Sequence, residues 1–145
     1  MKNRPMLGVL LHQASNNIAR ILDRQTAEYN ITGKQGRILG YLAHRPNDLV
    51  CQRDIEKLIG IRRSSVSSMI DNLEKNGFIE RKPLESDARI RCLFLTKKGQ
   101  ETHEVIFKKI IDIENKIKSL FTEEEIGKLS DLLSRLVKGT KDENI

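Results

Sequence analysis

The chain has 145 residues, enough for one domain with a hydrophobic core and too few for two of ordinary size. Hydrophobic residues make up 38% and charged residues 32%, a globular composition that excludes a disordered chain, and no apolar run approaches the ~20 residues of a membrane span. The net charge of +6 is confined to residues 31–99, which hold 14 Lys/Arg and 8 Asp/Glu against 12 and 12 elsewhere; that is the footprint of a polyanion-binding module, with a solvated basic surface as the alternative.

Leu7, Leu10, Leu11, Ala14, Ile18, Ile21 and Leu22 recur at spacings of three and four, which predicts an amphipathic helix over Met6–Tyr29. The apolar stretch Leu7–Leu11 runs straight into His12 and Gln13, so no signal-peptide core is expected and the chain is assigned to the cytoplasm. Thr32-Gly-Lys-Gln35 forms a capping box for a second helix over Gly33–His44 that buries Ile38, Leu39 and Leu42. Arg45-Pro46-Asn47-Asp48 stops it.

A short third helix is expected over Gln52–Ile59, with Ile55 and Leu58 inward and Gly60 ending it. The fourth, Arg62–Asn76, buries Val66, Met69, Ile70 and Leu73 and ends at Gly77. Two helices joined by a tight turn containing Gly are the helix-turn-helix pattern. Its second helix leaves Ser64, Ser67, Ser68, Asp71 and Lys75 facing outward.

The period then changes to two. Phe78–Lys82 and Arg91–Leu95 read as strands around the polar loop Pro83–Ile90, a hairpin wing with Leu93 and Leu95 toward the core. Thr96 can cap a long helix in which Ile106, Ile110, Ile113, Ile117 and Leu120 form a packing seam. Thr122-Glu-Glu-Glu125 caps the last helix, which carries Ile126, Leu129, Leu132, Leu133, Leu136 and Val137, and Lys138–Ile145 reads as a frayed tail. The fold class is mainly α with a small β-hairpin: a winged helix-turn-helix over residues 31–99, with dimerisation helices at 1–30 and 100–145. Packing of those helices within one chain is the alternative to a dimer.

Arg62, Arg63, Ser64, Ser65, Ser67 and Ser68 place cations and small hydroxyls at the start of the fourth helix. Small side chains let a helix approach base edges, and arginines take phosphates or guanine edges; simple helix capping is the alternative for the serines. On the wing, Arg89 can enter a minor groove with Asp87 holding its guanidinium, and Arg81, Lys82 and Arg91 are candidate phosphate contacts. A protein-interaction module that touches no DNA is the alternative reading of the whole.

Catalysis finds no constellation. His12, His44 and His103 are scattered, and no metal-ligand or nucleophile motif occurs, so no metal, cofactor or enzymatic activity is expected. Two cysteines, Cys51 and Cys92, are too few for a disulfide scaffold. Cys51 reads as a small residue at a helix start, with a redox role as the alternative.

Three segments carry a family resemblance: Gln52-Arg-Asp-Ile-Glu-Lys-Leu-Ile-Gly60, Arg63-Ser-Ser-Val-Ser-Ser-Met-Ile-Asp-Asn-Leu-Glu-Lys-Asn-Gly-Phe-Ile-Glu-Arg81, and Asp87-Ala-Arg89 followed by Leu93-Phe-Leu-Thr-Lys-Lys-Gly99. Over nearly its whole length the chain resembles the MarR family of bacterial transcriptional regulators. The resemblance implies a homodimer with interlocked terminal helices. It also implies an inverted-repeat operator in double-stranded DNA, and repression relieved by a small-molecule effector or by oxidation. It puts the family's wing aspartate and arginine on Asp87 and Arg89. Arg62 departs from the Asp or Ser that often caps the family's recognition helix, so the helix is expected to be capped differently or to begin a residue late. The first helix lacks the cysteine of the peroxide-sensing branch. With no Trp and two Tyr, an effector pocket falls to His12, Tyr41 and His44.

Overall fold

A computed structural model describes residues 4–141. The elements are α1 (Leu7–Thr26), α2 (Gly33–Ala43), α3 (Gln52–Ile59), α4 (Arg63–Lys75), β1 (Ile79–Pro83), β2 (Arg91–Leu95), α5 (Lys97–Lys118) and α6 (Glu123–Gly139). Contacts cluster into two compact units, Met1–Lys109 and Ile110–Ile145, with α5 running through the boundary.

The helix starts follow from capping chemistry. The Thr32 hydroxyl accepts from the Gln35 N–H at 3.2 Å, while the Gln35 side chain accepts from the Thr32 N–H at 2.9 Å. Thr122 and Glu125 repeat the reciprocal pair at α6. Asp23 in α1 accepts from the Gly33 N–H at 2.7 Å and so fixes the entry to α2. In the first unit the core gathers Ile38, Leu39 and Leu42 of α2, Ile55 of α3, Val66, Ile70 and Leu73 of α4, and Phe78, Ile79, Leu93 and Ile106. Full burial of each such side chain favours folding by ~1.5–3 kcal/mol, so the α4 triad alone fixes which face of that helix remains outside.

The exit from α4 sets the wing. Gly77 has φ 79°, and the Phe78 and Gly77 N–H groups donate to the Leu73 and Glu74 carbonyls at 2.9 and 3.0 Å. This is the paired Schellman closure, and the left-handed residue it needs is most easily glycine. β1 then pairs antiparallel with β2, from Ile79 opposite Leu95 to Pro83 opposite Arg91. Thr96 ties the hairpin to α5. Its hydroxyl donates to the Gly77 carbonyl at 2.6 Å and accepts from the Gly99 N–H at 3.0 Å.

Several boundaries differ from the sequence expectation. The first helix, expected through Tyr29, ends at Thr26 and passes into a 3-10 turn, Ala27–Tyr29, closed by left-handed Asn30. His44 is the C-cap of α2 rather than its last turn. β1 starts at Ile79 because the Phe78 N–H is already bound to α4. Met69, Leu58 and Leu95 are half-buried, not core. The expected tail overlaps α6 at Lys138 and Gly139, and residues 142–145 lie outside the described residues, as do residues 1–3 of the expected N-terminal segment. One feature was not anticipated: Cys51 forms an antiparallel bridge with Cys92, and the Leu93 N–H donates to the Val50 carbonyl at 2.8 Å.

Candidate nucleic-acid interface

α4 begins at Arg63, the late start that the departure at Arg62 implied, with extended Arg62 as an N-cap that supplies no side-chain bond. The Ser65 and Val66 N–H groups donate to the Arg62 carbonyl at 3.0 and 3.1 Å, and among the described residues the Arg63 and Ser64 N–H groups have no protein partner, the arrangement that attracts anions. Arg62, Arg63, Ser64, Ser65 and Ser68 are all exposed. The Ser68 hydroxyl donates to the Ser64 carbonyl at 3.1 Å, and among the described residues nothing holds the Ser64 or Ser65 hydroxyl. Ser67 is half-buried, and its oxygen accepts from Gln52 Nε2 at 2.7 Å. Gln52 also donates to Glu56 at 3.2 Å, and Glu56 lies 3.7 Å from Arg63 Nε. One face of α3 thus holds the start of α4 in place.

The wing is closed by the Leu84 N–H on the Ile90 carbonyl at 2.7 Å. Asp87 Oδ1 accepts from the Arg89 N–H at 3.0 Å and from Arg89 Nε at 3.2 Å. The Arg89 side chain is still 91% exposed. The aspartate aims the guanidinium without covering it. Lys82 and Arg91 are exposed, with the Lys82 ammonium 5.5 Å from the Phe94 ring. Arg81 stands apart. Its guanidinium pairs with Asp71 and lies 3.8 Å from Glu74, and its side chain is only 20% exposed. Its charge is met by two carboxylates of α4, so it fastens the wing strand to the recognition helix rather than offering a free cation.

Arg63 and Arg89 meet in one groove of about 370 Å³, lined also by Cys51, Gln52, Arg53, Glu56, Arg81 and Arg91. Arg53, Arg63, Arg89 and Arg91 against Glu56 make its wall positive, the Arg81 charge being met by Asp71 and Glu74. Sequence reasoning passed over Arg53, Gln52 and Glu56. Their i, i+4 spacing from Gln52 to Glu56 was the available signal.

The three residues expected to hold an effector are not brought together. The His12 ring lies 3.0 Å from the Asn16 amide on the exposed face of α1. Tyr41 lies under the Arg45 guanidinium at 3.8 Å. His44 packs edge-on against His103, with centroids 5.6 Å apart, and against Phe107 at 5.9 Å. It lines a cavity of about 360 Å³ with His103, Phe107, Gln100, Glu104, Lys108 and Ala43. His103 is buried with an unpartnered Nδ1. Burial first, and His44 second, hold its pKa below the ordinary histidine value, with Glu104 opposing.

A helix-turn-helix followed by a two-stranded wing defines a winged helix-turn-helix protein. Residues 29–90 match the model of the MarR family. The HTH-type transcriptional regulator PecS of Dickeya dadantii is 31% identical over 136 residues, covering 92% of this chain and 82% of that protein. The homoprotocatechuate degradative operon repressor of Escherichia coli is 28% identical over 109 residues, 75% of this chain and 72% of that one. Among solved structures, the Staphylococcus aureus MepR–DNA complex superposes with a TM-score of 0.89 at 26% identity, covering 94% of this chain and 99% of that chain. The chain belongs to the MarR family of bacterial transcriptional regulators.

Among the described residues, no helix is long and apolar enough to cross a membrane, and no cluster of three metal-ligating side chains occurs.

Proposed function

We propose that this protein binds double-stranded DNA through the start of α4 and the wing, and represses transcription from an inverted-repeat operator as a homodimer. One observation carries the reading: Arg63 on the recognition helix and Arg89 on the wing wall the same groove, and both are almost fully exposed. Arg62, Ser64, Ser65, Ser67 and Ser68 face or border the bases, Arg89 enters the adjacent minor groove, and Arg53, Lys82 and Arg91 take phosphates. Arg81 and Asp87 are positioning residues. The MepR structure is a DNA complex and an E. coli relative is named a repressor, which supports both the ligand and the sign.

The homodimer is supported by apolar side chains left in solvent. Leu7 and Leu10 on α1, and Leu132, Leu133, Leu136 and Val137 on α6, are exposed, with Leu132 and Val137 at 57%. Such faces mark association surfaces, and a two-fold dimer presents two recognition helices about one DNA turn apart. A small effector entering the cavity beside His44 would act by changing that separation. Action on chromosomal DNA assigns the protein to the cytoplasm.

The test is selection of duplexes from a random-sequence pool, followed by affinity measurement across salt. The expected product is an inverted repeat bound by two chains, with affinity falling steeply as salt rises. Recovery of no duplex bound above the random pool would overturn the DNA reading, and binding by a single chain would overturn the dimer.

A further inference from the structure

The only two cysteines of the chain are directly opposed in space. Cys51 precedes α3, Cys92 is the second residue of β2, and the two form an isolated antiparallel bridge. The flanking bond, Leu93 N–H to the Val50 carbonyl at 2.8 Å, identifies the pair as the non-hydrogen-bonded kind. In such a pair the Cα atoms approach to about 4.5 Å and both side chains leave the same face of the sheet. That spacing falls within the range a disulfide accepts. Both thiols are free, with Cys92 buried and Cys51 half-buried. The Cys51 Sγ donates to Asp54 Oδ2 at 3.3 Å, so closure asks for a side-chain rotation at Cys51 and no rearrangement of strands.

We propose that Cys51 and Cys92 are a redox pair, in which a peroxide closes a disulfide that ties α3 to the wing strand and weakens DNA binding. Cys51 is the thiol that meets the peroxide first, since it is half-buried and lines the open groove whereas Cys92 is buried. Its thiolate attacks one peroxide oxygen; the O–O bond breaks, hydroxide leaves, and Cys51 becomes a sulfenic acid. The Cys92 sulfur then attacks the Cys51 sulfur, the S–O bond breaks, and the oxygen departs as water. In sum, two thiols and one hydrogen peroxide give one disulfide and two waters. Each thiol is oxidised by one electron and the peroxide is reduced by two.

The effect on DNA rests on the reading given above. Closure withdraws the Cys51 thiol from Asp54, the carboxylate that also holds the Cys51 N–H at 2.9 Å and caps α3. The residues next to the two cysteines are Gln52, which holds Ser67 of α4, and Arg91 of the groove wall. Closure therefore removes the Sγ–Asp54 contact at the start of α3 and tethers to each other the two segments that carry both supports of the recognition helix.

The test treats full-length protein with hydrogen peroxide and maps its peptides without reduction. A cross-linked pair containing Cys51 and Cys92 from one chain is expected, opened by a dithiol and absent from C51S and C92A. In C92A a sulfenic acid at Cys51 is trapped by dimedone. Affinity for a duplex selected by the reduced protein should fall on the order of tenfold on oxidation, the usual size of a coupling between two sites. C92A should hold that duplex as the reduced wild type does, whether oxidised or not. Cross-links solely between chains, or none, would overturn the pair. Equal affinity of reduced and fully cross-linked protein would overturn the regulatory effect. If the reduced protein selects no duplex, the DNA reading fails, and the peptide map still decides the thiol pair.

Discussion

Gln52 of α3 donates to the Ser67 hydroxyl of α4 at 2.7 Å, across the turn of the helix-turn-helix. This bond pins the start of α4 to α3. Gln52→Ala leaves the serine oxygen without its donor and is expected to cost about 1 kcal/mol of stability. Ser67→Ala should cost a similar amount, and the double variant less than the sum, because each removes the same bond. Urea denaturation of the four proteins measures the coupling; strict additivity would mean the bond contributes nothing.

Arg89 offers a cleaner separation of fold and function. Among the described residues it is held by Asp87 alone, and its side chain is otherwise in solvent. Arg89→Ala should leave stability within about 0.5 kcal/mol of wild type. It should weaken DNA binding and lower the salt slope, since a cation in the minor groove is held by the potential of the flanking phosphates. Asp87→Ala should weaken binding less, since it frees the cation without removing it. Gel-shift titration at several salt concentrations distinguishes these, and an unchanged affinity for Arg89→Ala would remove the wing from the interface.

How much of this was legible in the sequence depends on whether the information is local. The span of α3, the capping boxes at Thr32 and Thr122, and the buried Val66, Ile70 and Leu73 all follow from spacing and cap chemistry within a few residues. The bridge from Cys51 to Cys92 did not, because the short stretch after the Pro-Asn-Asp turn carries no periodicity. Arg81 looked like a free cation because Asp71 and Glu74 come beside it only when the hairpin folds back on α4. His44 and His103 meet although 59 positions apart in sequence (103 minus 44), a distance no pattern spans. Their partner Phe107 was likewise invisible, while His12 and Tyr41 fell on other faces.

Gly99 makes a prediction that the motif alone would not. A Cβ at this position would stand 2.0 Å from the Phe78 carbonyl oxygen, where the first turn of α5 rests on the start of the hairpin. The obstacle is backbone, so no rotamer change relieves it. Gly99→Ala should destabilise the fold by about 3 kcal/mol or more, at the upper end for overpacked sites. Thermal melts check this, and a variant that melts with the wild type would mean that α5 can shift away from Phe78 at little cost.

His103 predicts how stability depends on pH. Its ring is buried between His44 and Phe107, and burial holds its pKa below the ordinary value of 6.5, with His44 adding to the effect and Glu104 opposing it. At pH above 6.5 the ring is neutral in both the folded and unfolded chain, and it adds no slope. As pH falls through that value the unfolded chain takes up the proton first, so unfolding is favoured. The loss continues until the folded ring also protonates. Stability contributed by this site is therefore full above the unfolded pKa and is lost on the acid side. Lowering the pH from about 7.5 to about 5 should depress the wild-type melting temperature more than that of His103→Gln, which cannot titrate there. Parallel curves for the two proteins over that range would show that His103 takes its proton in the fold as readily as in the open chain.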